Sequence, residues 1–378
     1  MSKRKTINKE TVNTYLSILR SYFWRTPIPK VIPSLEEVVV LAKEQTTRGV
    51  VFQAIINGQV DIDHDTYMRM RKSLLKIASL HYMDERAIKI TVEALRKEGI
   101  EPILLKGEGN ASFYPVPLAR ECGDVDLYTG KENYHKACDV INSLATEEEK
   151  SKAEQSDKHY EITLGGVPME IHHSTMIFYD DEFDSLYQKY ADKGTSENLD
   201  TIVISKIPVS LPSPTFNAFY IFVHAWHHFR NGGIGMRQVN DWMMFLHGNK
   251  DRINNDELGE ILGSLSLMNA WKAFGCIAVE MLGLPEDEMP FHDPSFLAKA
   301  EAVLEMIMEE GNFGHEITKS QRTSSNYYIK KIQSVLIYNR RDKRIGKIFP
   351  EETKSHMGQV MKRGFRKRWH DKIAEEDF

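Results

Sequence analysis

Hydrophobic residues follow three different rhythms along the chain. In the first stretch, residues 8–98, they recur every three or four positions, as in "TVNTYLSILRSYF" and "SLEEVVVLAKEQ". This spacing predicts amphipathic helices. Three prolines separate the first two of these helices: Pro27, Pro29 and Pro33.

Two helix boundaries in this stretch can be predicted from single residues. Ser34, followed by Glu37 three positions later, predicts a capping box at the start of the second helix. A long helix is predicted over residues 66–97. Its basic last turn and Gly99 behind it are typical of a helix C-terminus.

The middle stretch alternates short strands with helices. "EPILLK" and "DVDLYT" predict strands, "EGNASFY" a short helix and "ENYHKACDVINSLA" an amphipathic helix. "HYEITL" and "VPMEIHH" predict a β-hairpin, because Gly165-Gly166 is a strong two-residue turn signal. Strands interleaved with helices and closed by a hairpin indicate a small mixed or antiparallel sheet.

From about Ser213 the pattern is helical again. We therefore predict an α+β protein in three parts: a helical region at 1–78, a sheet core at 79–210 and a C-terminal helical domain at 211–378. The last domain ends in a basic tail, residues 340–372, that carries Phe365 and Trp369.

Composition narrows the choice of partners. The net charge of -5 gives no general attraction to nucleic acid or anionic lipid. Three scattered cysteines form neither a zinc pairing nor a disulfide framework, and they favour a reduced, cytoplasmic setting. The basic N-terminus has no apolar segment behind it, and the most apolar run, "FNAFYIFVHAW", is too short to span a bilayer. We expect no membrane partner.

Three carboxylates are the main chemical signal. Asp124 and Asp126 are alternate residues of a strand and project to the same face. A two-residue turn at Gly165-Gly166 places Glu161 opposite Glu170, and it also places His159 opposite His172. Paired like charges are destabilising unless the face is open to water or a cation lies there. Glu170 is therefore the candidate third acid of a Mg²⁺ site, the alternative being an exposed polar face.

A glycine turn precedes these acids. The strand "ILLK" ends in Gly107-Glu108-Gly109, and a short helix follows. Backbone N–H groups at such a turn bind anions, which suits the triphosphate of a nucleotide.

The block "LLKGEGNASFYPVPLARECGDVDLY" resembles the signature of an uncharacterised bacterial nucleotidyltransferase-like family within the DNA polymerase β superfamily of nucleotidyltransferases. The resemblance continues through "VPMEIHH" and "LPSPTFNAFYIFVHAWHHFRNGGIGMRQVNDWMMFL" and spans most of the chain. It implies a polymerase β-like sheet core and transfer of a nucleoside monophosphate from a nucleoside triphosphate, such as ATP, to a hydroxyl group. The implied cofactor is Mg²⁺, or Mn²⁺.

Residue by residue, the resemblance implies metal ligands and catalytic acids at Asp124, Asp126 and Glu170. It implies a phosphate-facing turn at Gly107 and Gly109, with Lys106 and Arg120 as nearby cations and His172 among the nucleotide-binding residues. It also implies that a second group lines the far wall of the cleft and contacts the base or the acceptor: His224, His228, Arg237 and Asp241. Simpler interpretations are a Lys106 that extends from a strand end, and an Arg120 that pairs with Glu121 or Asp124. The helical histidines can likewise be structural.

Two departures from the superfamily bear on turnover. Glu108 stands where other members often have serine, which predicts an anion near the triphosphate, and the spacing from this turn to Asp124 is longer than usual. The acceptor is expected to be an unidentified small molecule or protein. The alternatives are a nucleotide-binding or partner-binding module without turnover, and an enzyme that modifies nucleic-acid ends through the basic tail. A tail helix whose aromatic residues dock on the protein is the more ordinary interpretation of that segment.

Overall fold

A seven-stranded mixed sheet lies at the centre of the fold. The computed structural model describes residues 8–156, 158–178, 180–312 and 339–353. The strands run in the order β3-β4-β5-β2-β1-β7-β6; β2 is parallel to β5 and β1 to β7, and the other neighbours are antiparallel. Their bounds are β1 Ile103–Leu104, β2 Val125–Tyr128, β3 Glu154–Gln155, β4 His159–Leu164, β5 Val167–His172, β6 Asp200–Ile204 and β7 Ile207–Leu211.

Helices surround this sheet. Before it lie α1 Lys9–Trp24, α2 Leu35–Glu44, α3 Arg48–Asn57 and α4 His64–Lys97; between its strands lie α5 Glu108–Ala111, α6 Gly130–Leu144, α7 Glu147–Ser151 and α8 Asp181–Gly194. After it come α9 Pro214–Asn231, α10 Met236–Asn249, α11 Asn255–Ser264, α12 Met268–Cys276, α13 Leu297–Glu310, a helical stretch at 339–348, and α14 Pro350–Thr353. The predicted mixed α+β architecture is confirmed.

Two hydrophobic cores hold these layers together. In the smaller core, apolar side chains of α4 and α6, such as Ile88 and Ile141, cover one face of the sheet, where they meet strand residues such as Met169 of β5. The larger core joins α1–α3 to α9–α13, so the N- and C-terminal helices pack on each other. α4 runs unbroken across the predicted boundary at residues 78 and 79. The division into three parts stays a prediction.

The hairpin prediction is confirmed in its register. Leu164 pairs with Val167, and Glu161 lies opposite Glu170. Gly165 and Gly166 have φ values of 58° and 85°, the left-handed conformation that a type I′ turn requires.

Helix boundaries were predicted with mixed success. α4 ends at Lys97, and Gly99 follows with a φ of 76°, as expected for a C-terminal glycine. The capping box at Ser34 is wrong: Ser34 makes no side-chain cap hydrogen bond, and Glu37 instead accepts one from Thr11 Oγ1 at 2.6 Å. The Glu37 carboxylate, which a capping box would place on the Ser34 N–H, is instead bound to α1 through Thr11.

No single described helix meets the length and hydrophobicity that a bilayer span requires. One pair, Asn255–Ser264 with Met268–Met281, meets them jointly and is bent by 119° at its break.

Candidate functional site

Three carboxylates meet where β2 and β5 run side by side. Asp126 is paired in register with Glu170 on the parallel neighbour β5, and Asp124 immediately precedes β2. Val125 and Leu127 point into the smaller core, which turns the intervening acids to the other face. One ligand oxygen from each of the three acids lies within 4.8 Å of the others. We call Asp124, Asp126 and Glu170 the acid cluster.

Two cationic or hydrogen-bonding side chains hold the centre of this cluster. Lys106 Nζ lies 3.1 Å from Asp126 Oδ1, and His172 Nε2 lies 2.9 Å from the same oxygen. His172 Nε2 is also 3.0 Å from Glu170 Oε2, so one imidazole bridges two acids. His159 Nδ1 lies 3.2 Å from that glutamate oxygen. The positions of Asp126 and Glu170 are therefore fixed by their neighbours.

The acids differ in their electrostatics. Burial opposes ionisation of Asp126, but Lys106 and His172 outweigh it and hold the pKa of Asp126 well below its ordinary value. The neighbouring charge of Asp126 raises the pKa of Asp124 above its ordinary value. Burial also opposes ionisation of Glu170, yet the His172 hydrogen bond brings the pKa of Glu170 below its ordinary value. Asp126 and Glu170 are thus held ionised, and their negative charges oppose the ionisation of Asp124.

The acid cluster fits a hard divalent cation. Carboxylate oxygens are the ligands that Mg²⁺ and Mn²⁺ prefer. Asp126 Oδ2 is buried and has no hydrogen-bond partner within the described ranges, whereas Oδ1 is bonded. A buried carboxylate oxygen without a partner is costly, and a cation between the acids would satisfy it.

The glycine turn lies against the acid cluster. Gly107 adopts φ 59° and ψ -119°, and a side chain there would meet the backbone oxygen of Asp124 at 3.4 Å. Gly109 is packed against the Leu211 side chain, and its N–H donates to the Lys106 carbonyl. The close approach at Gly107 is therefore to Asp124, whereas the close approach at Gly109 is to β7. Contact of this turn with a phosphate stays a prediction.

Glu108 points away from the predicted phosphate position. Its Oε2 lies 2.8 Å from Nδ1 of the buried His81, and its Oε1 accepts a weak hydrogen bond from the Cys122 thiol at 3.7 Å. Burial lowers the pKa of His81, but the Glu108 hydrogen bond and charge outweigh it, and the net pKa is raised. The expected anion beside the triphosphate is thus held against α4.

Arg120 and Asp241 bind each other. Arg120 Nε and Nη2 donate to the two oxygens of Asp241 at 2.8 and 2.9 Å, and the Tyr114 hydroxyl donates to the same carboxylate. Both members of the pair are buried. The ion-pair partner of Arg120 is thus neither Glu121 nor Asp124. Contact of this pair with a nucleotide stays a prediction.

Arg237 lies on the Asp124 side of the site. Its Nη1 donates to the Glu121 carbonyl at 3.0 Å, and the same atom lies 3.3 Å from where a side chain on Gly123 would begin. Its Nε is buried without a hydrogen-bond partner in the described structure.

The two helical histidines approach the cluster through Lys106. His224 Nε2 lies 3.0 Å from Lys106 Nζ, and His228 Nε2 lies 3.2 Å from His224 Nε2. Burial, followed by the charge of Lys106, lowers the pKa of both histidines, that of His228 to about 3. Both are neutral at physiological pH, so the Nε2 atom of His224 can accept a hydrogen bond from the Lys106 ammonium.

Lys158 is a site residue that the sequence pattern did not indicate. It precedes β4, and its carbonyl accepts a hydrogen bond from the His173 N–H, which ties it to the end of β5. Burial and the charge of Lys106 lower its pKa, while Glu170 and Asp126 act in the opposite direction. Lys158 is therefore within electrostatic range of the acid cluster. Its only sequence signal is its place one residue before His159.

The chain belongs to a family described as uncharacterised nucleotidyltransferases, whose family model matches residues 34–283. Membership places it among enzymes that transfer a nucleotidyl group. Among solved structures, it is similar to an antigenic nucleotidyltransferase-like protein from Paracoccidioides brasiliensis, with 14% identity, a TM-score of 0.35, and coverage of 57% of this chain and 96% of that one. At that TM-score the likeness carries no argument. No curated protein matches the chain significantly.

Proposed function

We propose that this protein is a Mg²⁺-dependent nucleotidyltransferase that transfers a nucleoside monophosphate from a nucleoside triphosphate to a hydroxyl group of a small molecule or protein. One observation carries the proposal. In a chain of this family, three carboxylates lie with ligand atoms within 4.8 Å of one another beside a glycine turn, and one buried oxygen, Asp126 Oδ2, has no partner in the described ranges.

Asp124, Asp126 and Glu170 would hold the cation. Bound there, it would neutralise and align the phosphate oxygens of the substrate. His172 fixes the orientation of two of these acids through its single Nε2–H. Lys106, held between Asp126 and His224, has a third ammonium proton left to donate toward a phosphate oxygen.

The charges of the site favour a polyphosphate substrate. Three carboxylates face two lysines, Lys106 and Lys158, and a divalent cation would turn the local charge positive. The negative charge of a triphosphate then complements it. As the acceptor oxygen forms its bond to the α-phosphorus, the bond to the departing pyrophosphate breaks. The lysines would stabilise the negative charge that develops on this leaving group.

Glu170 is the candidate base for the acceptor hydroxyl. Its Oε2 lies 3.0 Å from His172 and 3.2 Å from His159, so the hydroxyl proton would go to Oε1. The pKa of Glu170 is low, which keeps it ionised and ready to accept a proton.

The two alternative functions gain no support from the described residues. A binding module without turnover was suggested by Glu108, whose carboxylate is bonded to His81 instead of facing the turn. Modification of nucleic-acid ends was suggested by the basic tail, of which residues 354–378, including Phe365 and Trp369, lie outside the described structure.

Position-specific labelling tests the proposal. The protein would be incubated with Mg²⁺, an extract of small molecules and proteins from its source organism, and a nucleoside triphosphate labelled on the α- or the γ-phosphate. We expect the α-label to enter a new product and the γ-label to enter pyrophosphate, with neither transfer in an Asp124→Asn/Asp126→Asn variant. Release of γ-label as inorganic phosphate would instead indicate a hydrolase and would refute the proposal.

A further inference from the structure

A second cluster of metal-ligating side chains lies behind the glycine turn. His81 and Asp84 come from α4, Glu108 from α5, and Cys122 from the loop that leads into β2. His81, Asp84 and Glu108 are 1%, 6% and 9% exposed, and Cys122 is half-buried. His81, Glu108 and Cys122 each offer one ligand atom, and these three atoms lie within 4.8 Å of one another. We call these three residues the turn cluster.

The imidazole of His81 is oriented as it is in metal sites. Its Nε2 lies 2.7 Å from the Arg120 carbonyl, which can only accept a hydrogen, so Nε2 carries the proton. Nδ1 lies 2.8 Å from Glu108 Oε2, which is a hydrogen-bond distance, so the two atoms share a proton. A metal ion bound by Nδ1 would take the place of that proton. A histidine whose second nitrogen donates to a backbone carbonyl is the usual arrangement for a metal ligand.

The donor set distinguishes this cluster from the acid cluster. It combines an imidazole nitrogen, a sulfur and a carboxylate oxygen, which suits Zn²⁺ and related transition metals, whereas three carboxylates suit Mg²⁺. Three protein ligands of this kind leave a fourth position on the metal for water.

We propose that His81, Glu108 and Cys122 bind a zinc-class transition metal that fastens the glycine turn to α4. Binding would release two protons, one from the thiol and one shared by His81 and Glu108. The site is separate from the acid cluster and does not depend on the proposed function.

Cobalt substitution tests the site. The full chain, stripped of metal with a chelator, would be titrated with Co²⁺, whose thiolate complexes absorb in the near ultraviolet. The control for Cys122→Ser is Cys138→Ser, because Cys138 is a half-buried thiol outside the cluster. An Asp124→Asn/Asp126→Asn variant removes the acid cluster alone. Zn²⁺ content would be measured in parallel by mass spectrometry, and circular dichroism would establish that each variant is folded.

We expect one equivalent of Co²⁺ with a thiolate band that disappears in Cys122→Ser and persists in the Cys138 and acid-cluster variants. Zn²⁺ should displace the cobalt. It should raise the unfolding temperature of every protein that shows the band, and leave that of Cys122→Ser unchanged. The absence of a thiolate band, or cobalt binding that only the acid-cluster variant loses, would overturn the proposal. His81 and Glu108 would then be a proton-bridged pair.

Discussion

At the scale of single residues, some of the predicted site residues meet at the acid cluster, whereas others are bound elsewhere. Lys106 lies 3.1 Å from Asp126, and His172 lies 2.9 Å from Asp126 and 3.0 Å from Glu170. Arg120, predicted beside them, is bound to a partner on α10. The sequence showed that a cation was near the turn, but not which of several acids it would reach.

Replacing Lys158 tests whether it contacts the phosphates. Lys158→Met should weaken binding of the Mg²⁺–nucleoside triphosphate about tenfold, or about 1.4 kcal/mol, and leave monophosphate binding nearly unchanged. The physical reason is that only the triphosphate has the β- and γ-phosphates whose charge this half-buried ammonium would neutralise. Calorimetry with both nucleotides measures the difference.

The control for this change is Lys152→Met, because the side chain of Lys152 is 70% exposed in its ion pair with Glu148. Equal losses of triphosphate and monophosphate affinity in Lys158→Met would mean that the lysine does not contact the β- and γ-phosphates.

Breaking the buried pair of Arg120 and Asp241 should mainly cost stability. Arg120→Met leaves the Asp241 carboxylate buried without its cation, and we expect a loss of about 3–5 kcal/mol in the free energy of unfolding. The double variant Arg120→Met/Asp241→Leu should recover part of this. The recovery is partial because the Tyr114 hydroxyl loses its acceptor. Urea denaturation gives both values. A small change in stability accompanied by loss of nucleotide binding would assign Arg120 to the ligand instead.

At the level of secondary structure, turn chemistry decided what could be predicted. The β4–β5 hairpin was evident because two glycines occupy its turn. The β6–β7 hairpin, which completes the sheet, was not predicted. Its turn residues, Ser205 and Lys206, adopt φ values of 45° and 71° without glycine, so tertiary contacts rather than local preference select that turn. The edge strand β3, only two residues long, carries too short a pattern to detect.

The register of the β4–β5 hairpin should depend on Gly166. With φ at 85°, Gly166→Val would force a branched side chain into the left-handed region at a cost of about 1–2 kcal/mol. Gly165→Asn is the control, because asparagine before glycine suits this turn. Thermal unfolding followed by circular dichroism measures both. Equal stability of the two variants would show that the turn does not fix the pairing of Glu170.

At the scale of the whole molecule, the first and last helices form one core. Amphipathic periodicity showed which faces of these helices are buried, but not what covers them, because the contacts join residues far apart in sequence. Trp24 Nε1 donates to the Leu282 carbonyl, and Gln45 Nε2 donates to the Ile307 carbonyl at 3.0 Å. Such long-range pairings leave no local sequence signal.

Gln45 offers the most direct test of the contact between the N-terminal and C-terminal helices. The side chain is fully buried and bridges the Ile307 carbonyl and the Met236 N–H. Gln45→Ala should reduce the free energy of unfolding by about 1–3 kcal/mol for each backbone group left unpaired. Gln53→Ala, which removes only an exposed hydrogen bond within α3, is the control. Equal urea midpoints for the two variants would contradict the structural role of Gln45.

The central claim is that Asp124, Asp126 and Glu170 bind a nucleoside triphosphate through a divalent cation. Its most direct test is calorimetric titration of the four ribonucleoside triphosphates, with and without Mg²⁺, into the wild type, Asp124→Asn/Asp126→Asn and the exposed-carboxylate control Glu154→Gln. We predict Mg²⁺-dependent binding of at least one nucleotide, retained in the control and lost in the folded double variant. Failure of every triphosphate to bind the wild type, or equal binding to the double variant, would contradict the account.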